Sequence, residues 1–344
     1  MKRSIILKLS SILIVLISLA LVSNIAIRYK KKFKECKKSI TEKTCLKSTG
    51  DISLENMILL NSLDLATLEA GKEEMLKHKL IIVGITRDNA PELPSMIKHI
   101  EYVGGFFKDY RVVLFENDSI DGTKIALNLW QNNNSKVKII SHDFNNIKRP
   151  NHKFMADARN YYLHAIENKE YKDFDIVMMI DMDMEKGIDI RGIEDSFSKI
   201  EKWDAVCSNG IRENSMKGKM YDMFAFRNEE FPWTPLEWPK ACRQDNKNHL
   251  WSKICNNINH DWPEDDIYWK YIVPQGQKIY SIHSSLIPVQ SCFGGMAFYK
   301  REFINGCSYN SIENDCEHVP FHECLRIKHN GRMVMNPNQV IRYD

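Results

Sequence analysis

No two of the nine cysteines stand in a C-x-x-C pair, and none combines with histidine at zinc-ligand spacing, which excludes the common zinc-bound modules. Internal repeats and low-complexity tracts are also missing, and nothing in the composition suggests a disordered or fibrous protein. Residues 9–27 carry no charge at all, in a chain where 27% of residues are charged. Basic residues are unevenly spread. Residues 1–47 hold twelve Lys or Arg against Glu35 and Glu42, a charge of +10, so the other 297 residues carry −7 of the overall +3. An acidic body argues against a nucleic-acid groove, which needs clustered Lys and Arg to displace counterions.

What is present begins with that uncharged run. It is just long enough to cross a hydrocarbon core of about 30 Å as a helix, and the basic flank after it suits anionic lipid headgroups. A cleaved signal peptide is the alternative, but its apolar region runs about 7–15 residues and ends at a small-residue cleavage site. Residues 1–8 are then a short tail, 9–27 a transmembrane anchor, 28–77 a basic stem with one helix near 54–68, and 78–344 the catalytic body. More Lys and Arg follow the helix than precede it, which by the positive-inside rule keeps the body in the cytosol. The odd cysteine count leaves at least one thiol free or paired between chains. Two glycosylation sequons, at Asn117 and Asn133, add little weight.

The body alternates short apolar runs with helix-like segments, the pattern of an α/β domain with a largely parallel sheet. Strands are expected at 80–85, 111–115, 137–140 and 174–180. Helices are expected after Pro91, from Thr123, and over 154–168, where Met155, Ala158, Tyr162, Ala165 and Ile166 recur at helical spacing. The run 174–180 is too continuous for an edge strand, which predicts burial on both faces.

Asp181 and Asp183 follow that strand at once. Ligands of open α/β sheets bind at the carboxyl ends of the strands, and alternation along an extended chain points residues two apart the same way. Two such carboxylates can share one Mg²⁺ or Mn²⁺ whose other positions are filled by diphosphate oxygens of a nucleotide. The ion would neutralise charge on a leaving diphosphate, as a sugar transfer needs. A strand-terminating turn is the plainer account of an Asp-x-Asp tripeptide. Thr86 and Arg87 end the first strand on the same sheet edge; Glu116 and Asp118 end the second and are candidates for a base or ribose, while Asp121 and Thr123 can cap the next helix. Arg159, beside Asn160, either faces the diphosphate with its fork of donors or is a plain surface residue. Gly294 and Gly295 predict a backbone lying close to a ligand. The stretch 313–324 gathers acids and imidazoles, among them Glu317, His318, His322 and Glu323, able to supply a third metal ligand or an acceptor-hydroxyl partner. Aromatic, proline-containing stretches at 231–239 and 261–269 offer faces for sugar stacking, or pack an irregular insertion.

The order and spacing of Arg159-Asn160, Asp181/Asp183, residues 221–227, 289–295, His322-Glu323-Cys324 and 336–343 resemble the fungal capsule-associated α-1,3-mannosyltransferase family over roughly residues 80–344. That resemblance implies a GT-A-like (Rossmann-like) fold, a mixed and mainly parallel sheet flanked by helices behind a single anchor. It further implies a lumenal Golgi enzyme, GDP-mannose as donor, Mn²⁺ or Mg²⁺ dependence, and retention at the sugar. The lumenal placement conflicts with the basic flank. The chain departs from the family at Phe293 and Gly294, where tryptophan and asparagine are usual, and at His322, where a serine is expected.

The resulting expectation is a glycosyltransferase using a nucleotide sugar, a glycan acceptor and the membrane, but no nucleic acid. Asp181 and Asp183 hold the metal with His322 as a possible third ligand. Thr86, Arg87, Glu116, Asp118, Arg159 and Asn160 serve the donor, and Glu323 faces the reacting sugar or acceptor. Glu323 stabilises the oxocarbenium face if transfer retains configuration and acts as base if it inverts. The rival classes are a metal-dependent nucleotidyltransferase and an inactive, membrane-tethered glycan-binding protein.

Overall fold

Val, Ile and Met dominate the run Ile176–Ile180, and all five of its residues are buried. It is an interior strand of a computed structural model that describes residues 63–145, 152–184, 186–212, 219–229, 280–311 and 315–343. The expected tail, anchor and most of the stem lie outside the described residues, as do both aromatic, proline-containing stretches. Among the described residues no helix is long and apolar enough to cross a membrane.

The elements run α1 (Leu65–Met75), β1 (Lys79–Thr86), α2 (Leu93–Gly104), β2 (Asp109–Glu116), α3 (Thr123–Asn133), β3 (Val137–Ser141), α4 (His152–Ile166) and β4 (Ile176–Ile180). Then come α5 (Ile190–Phe197), β5 (Ala205–Arg212), β6 (Lys219–Met220), β7 (Ile287–Pro288), β8 (Met296–Lys300), α6 (Arg301–Ile304), α7 (His318–His329) and β9 (Met333–Tyr343). The sheet order is β3-β2-β1-β4-β8-β5-β9-β7, with β6 beside β5. β3, β2, β1 and β4 are mutually parallel, β8 runs against β4 and β5, and β9 is parallel to β5. Mixed, mainly parallel and flanked by helices, this architecture fits the GT-A-like expectation.

Period-two alternation sends Ile81, Val83, Val113, Val177 and Met179 to one face, against Tyr162, Leu163 and Ile166 of α4. It sends Leu80, Ile82, Val112, Leu114, Met178 and Ile180 to the other, against Leu93, Met96 and Ile100 of α2 and Ile193 and Phe197 of α5. Each fully buried aliphatic side chain contributes about 1.5–3 kcal/mol. With both faces dry, a one-residue slip of β4 would gain nothing from polar exposure, and its neighbours on both sides fix its register.

One boundary is corrected. The stem was expected to run to residue 77, yet α1 is part of the folded body. Asp64 caps it by accepting from Thr67 N at 3.0 Å, and Met75 is fully buried. A Cβ on Gly71 would come within 1.8 Å of the Glu194 carbonyl oxygen of α5, so the two helices meet at backbone distance. Two disulfides, Cys207–Cys292 and Cys307–Cys324, cross-link the second half of the sheet and α7. They close 85 and 17 residues of sequence, worth about 4.5 and 3 kcal/mol in a chain-entropy account. Cys316 is free and buried.

Candidate functional site

β4 ends against a glycine saddle. Asp181 N donates to Gly295 O at 2.9 Å, and Gly294 and Gly295 take φ of +64° and +85°, a region open to glycine at no cost. A Cβ on Gly294 would stand 2.2 Å from Ser208 O, and one on Gly295 2.7 Å from the Met184 Cε. The glycines therefore admit neighbouring protein backbone and Met184, and the expectation that they make room for a ligand is replaced by that reason.

Beyond the saddle the chain alternates. Met182 and Met184 are buried, while Asp181 and Asp183 stay partly open in the turn that follows the strand. Tyr221 Oη donates to Asp181 Oδ2 at 2.9 Å, and its ring stacks on Tyr343 at 4.7 Å. Arg159 Nη2 reaches Asp181 Oδ1 at 3.4 Å, and its Nε donates to Glu317 Oε1 at 3.0 Å. Arg159 is 1% exposed. Its guanidinium carbon sits 5.2 Å from the Phe293 ring centroid and 5.6 Å from that of Tyr309. The third nitrogen, Nη1, is buried with no hydrogen-bond partner among the described residues. Such an orphan costs about 1–3 kcal/mol or more for a charged group, which a ligand oxygen would recover.

Charge in this cluster is out of balance. Burial lifts the Asp181 carboxyl above its ordinary pKa by more than the Arg159 cation and the Tyr221 hydroxyl lower it. Asp222, held at φ +60°, is lifted much further, by burial and then by the negative charges of Asp181 and Glu317. Burial and the Asp181 charge likewise push the Tyr221 phenol well up. Burial opposes the Arg159 cation, yet Tyr162, Glu317 and Asp181 hold its pKa well above the ordinary value.

A divalent ion fits Asp181 and Asp183. Both are hard oxygen donors, the negative excess around them favours a cation, and two carboxylates plus ligand oxygens and water are a common Mg²⁺ or Mn²⁺ environment. Among the described residues no group of three or more His, Cys, Asp or Glu forms a site able to hold a metal unaided. His322 is accordingly corrected as a third ligand. It is 0% exposed, its Nδ1 pairs with Ser291 Oγ and its Nε2 with Tyr299 Oη, both at 2.8 Å. Burial, with Arg326 and Arg159 nearby, lowers its pKa to about 3, so it stands as a neutral core residue.

The remaining expected residues divide. Thr86 is 4% exposed at the end of β1, with Oγ1 unpaired among the described residues; Arg87 follows it and lies 3.6 Å from Asp88. Glu116 is 1% exposed and fully engaged, accepting from Ser119 N at 3.0 Å and Ser141 Oγ at 2.6 Å. Asp118 accepts from Asn117 Nδ2, Phe144 N and Asn145 N. Both acids thus organise the loop after β2; Glu116 is buried there, whereas Asp118 stays partly exposed. Asp121 accepts from Thr123 N at 3.0 Å just ahead of α3, whose N-cap is Gly122, while its other oxygen takes Ala90 N at 2.9 Å. Asn160 brackets the backbone of Tyr309 with two hydrogen bonds, so its side chain is structural. Glu323 is exposed on α7, away from the buried face of His318, Phe321, His322 and Leu325. The acid that joins Arg159 is Glu317, six residues earlier, in the same acidic stretch that the sequence singled out. Tyr221 and Asp222 lie in the 221–227 motif without having been singled out as site residues.

No protein-family model matches the sequence, and no curated protein matches it. Among solved structures, TarS of S. aureus is 12% identical with a TM-score of 0.42, over 77% of this chain and 60% of that one. That structure is of TarS residues 1–349, so this chain spans three-fifths of the fragment and 36% of the longer TarS chain; the fragment is also known in complex with UDP-GlcNAc. The mannosyltransferase PcManGT from Pyrobaculum calidifontis, in complex with GDP-Man and Mn²⁺, is 14% identical with a TM-score of 0.39, over 83% of this chain and 68% of that one. Similarity at this level leaves function to be argued from this chain's own residues.

Proposed function

We propose that this chain is a metal-dependent glycosyltransferase that moves a sugar from a nucleotide-sugar donor to a glycan acceptor. Mannose from GDP-mannose, joined α-1,3 with retention, is the leading reaction. The observation that carries the reaction class is the open Asp181/Asp183 pair at the end of a fully buried strand, beside an arginine with an orphaned donor. Mannose rests on the ordered motifs shared with the capsule-associated family. Residues 9–27 supply the anchor, and the two disulfides support an oxidising, lumenal setting over the cytosolic one that the basic flank favours.

Asp181 and Asp183 would hold the Mn²⁺ or Mg²⁺, which when bound supplies electrostatic stabilisation of the leaving diphosphate. Arg159 offers Nη1 to a diphosphate oxygen from a position fixed by two rings and two acids, so little reorganisation is needed as charge develops. Tyr221 fixes the orientation of Asp181. Thr86 and Arg87 meet the nucleoside side of the donor, where Glu116 and Asp118 act by holding the loop in shape.

Incubating the protein with a panel of nucleotide sugars and Mn²⁺, with products read by mass spectrometry, tests the reading. A nucleoside diphosphate and a transferred or hydrolysed hexose are expected, lost in the D181N/D183N variant. Full activity in that variant would sink the proposal, and release of pyrophosphate would point to nucleotidyl transfer instead.

A further inference from the structure

Arg159 has two acids to choose between. Its Nε is 3.0 Å from Glu317 and its Nη2 3.4 Å from Asp181. Glu317 is 0% exposed, whereas the Asp181 side chain retains 20% exposure. A charge-assisted bond to the drier, nearer acid is the stronger of the two. Phe293 and Tyr309 limit sideways movement of the guanidinium, so its remaining freedom is a short travel between the two carboxylates. Glu317 itself is anchored, just ahead of α7, with Cys316 Sγ 3.7 Å from its second oxygen and α7 tied by Cys307–Cys324.

Without that anchor the guanidinium, already 3.4 Å from Asp181, would close further on it, and a divalent ion would then have to displace a tighter ion pair to bind. We propose that Glu317 is a positioning residue that draws Arg159 off Asp181 and so keeps that carboxylate open to the cation. The proposal rests on Asp181 being a cation ligand. It assigns Glu317 no contact with substrate.

Mn²⁺ alone, titrated calorimetrically into the full chain in detergent, provides a readout separate from turnover. E317Q is expected to weaken Mn²⁺ binding about tenfold, a difference of about 1.4 kcal/mol. E317D keeps the charge but shortens the reach, so it is expected to weaken binding too; a long-range field effect would leave it at the wild-type affinity. Removing the competitor as well, in R159M/E317Q, is expected to restore affinity to within about twofold, a coupling that a purely structural role would not produce. Wild-type affinity in E317Q or E317D, or failure of the double variant to recover, would overturn the proposal. If E317Q does not fold, R159M and R159M/E317Q are compared: equal affinities support the proposal, and a large difference overturns it. D181N stands apart from these, because unchanged Mn²⁺ binding there would remove the metal reading itself.

Discussion

Two strands of the parallel half end in acids, and the two ends are built in opposite ways. After β2, Glu116, Asp118 and Asp121 all accept hydrogen bonds from backbone N–H groups, two from the same segment and three from the loops after β1 and β3. After β4, the Asp181 carboxylate accepts from the Tyr221 phenol and the Arg159 guanidinium among the described residues, and Glu317 adds to the negative charge around it. Acids at the carboxyl edge of a sheet are thus of two kinds. Those satisfied by backbone donors shape loops, and the pair left in electrostatic excess is the one to which the proposed function gives the cation.

The largest expected effect that would break this comparison is on catalysis. D181N/D183N should lower nucleotide-sugar turnover by about 10²–10³-fold or more, the scale of losing one preorganised electrostatic contact, while circular dichroism stays that of the folded chain. E116A should act on stability, costing about 1–3 kcal/mol because Ser119 N and Ser141 Oγ lose their acceptor, seen as a lower denaturant midpoint. D121A should cost about 1 kcal/mol because Thr123 N and Ala90 N lose their acceptor, again by denaturant titration. The smallest effect concerns pH. The folded pKa of Asp181 is raised, so ionising it opposes folding: its contribution to stability falls as pH rises from the ordinary carboxylate value through the raised one. D181N should therefore show a flatter fall in melting temperature over that window than the wild type. A steeper fall in D181N would contradict the assignment of excess charge to this end.

The parallel half was largely legible from sequence because its signals are local. Apolar runs located β1 to β4, and Thr123 does open α3. The place of the acidic pair, directly after a strand buried on both faces, was legible for the same reason. What was missed depends on contacts distant in the chain. Glu116 meets Ser141 and Asn160 meets Tyr309, 149 residues away, and no local pattern shows that these side chains are already engaged. Choosing between Glu317 and Glu323 was a matter of helical phase. Phe321 and Leu325, four apart, fix the buried face of α7, and that spacing places Glu323 outside it.

The glycine saddle makes the cation edge sensitive to single carbon atoms. Asp181 hangs by its own amide from Gly295, and Gly210 opposite would itself place a Cβ 2.6 Å from Gly294 O. Any side chain at 210, 294 or 295 would act as a wedge between β5 and β8 and tilt the carboxylate pair as a unit. The spacing that decides whether the two carboxylates can grip one ion is set by how closely bare backbone can approach backbone.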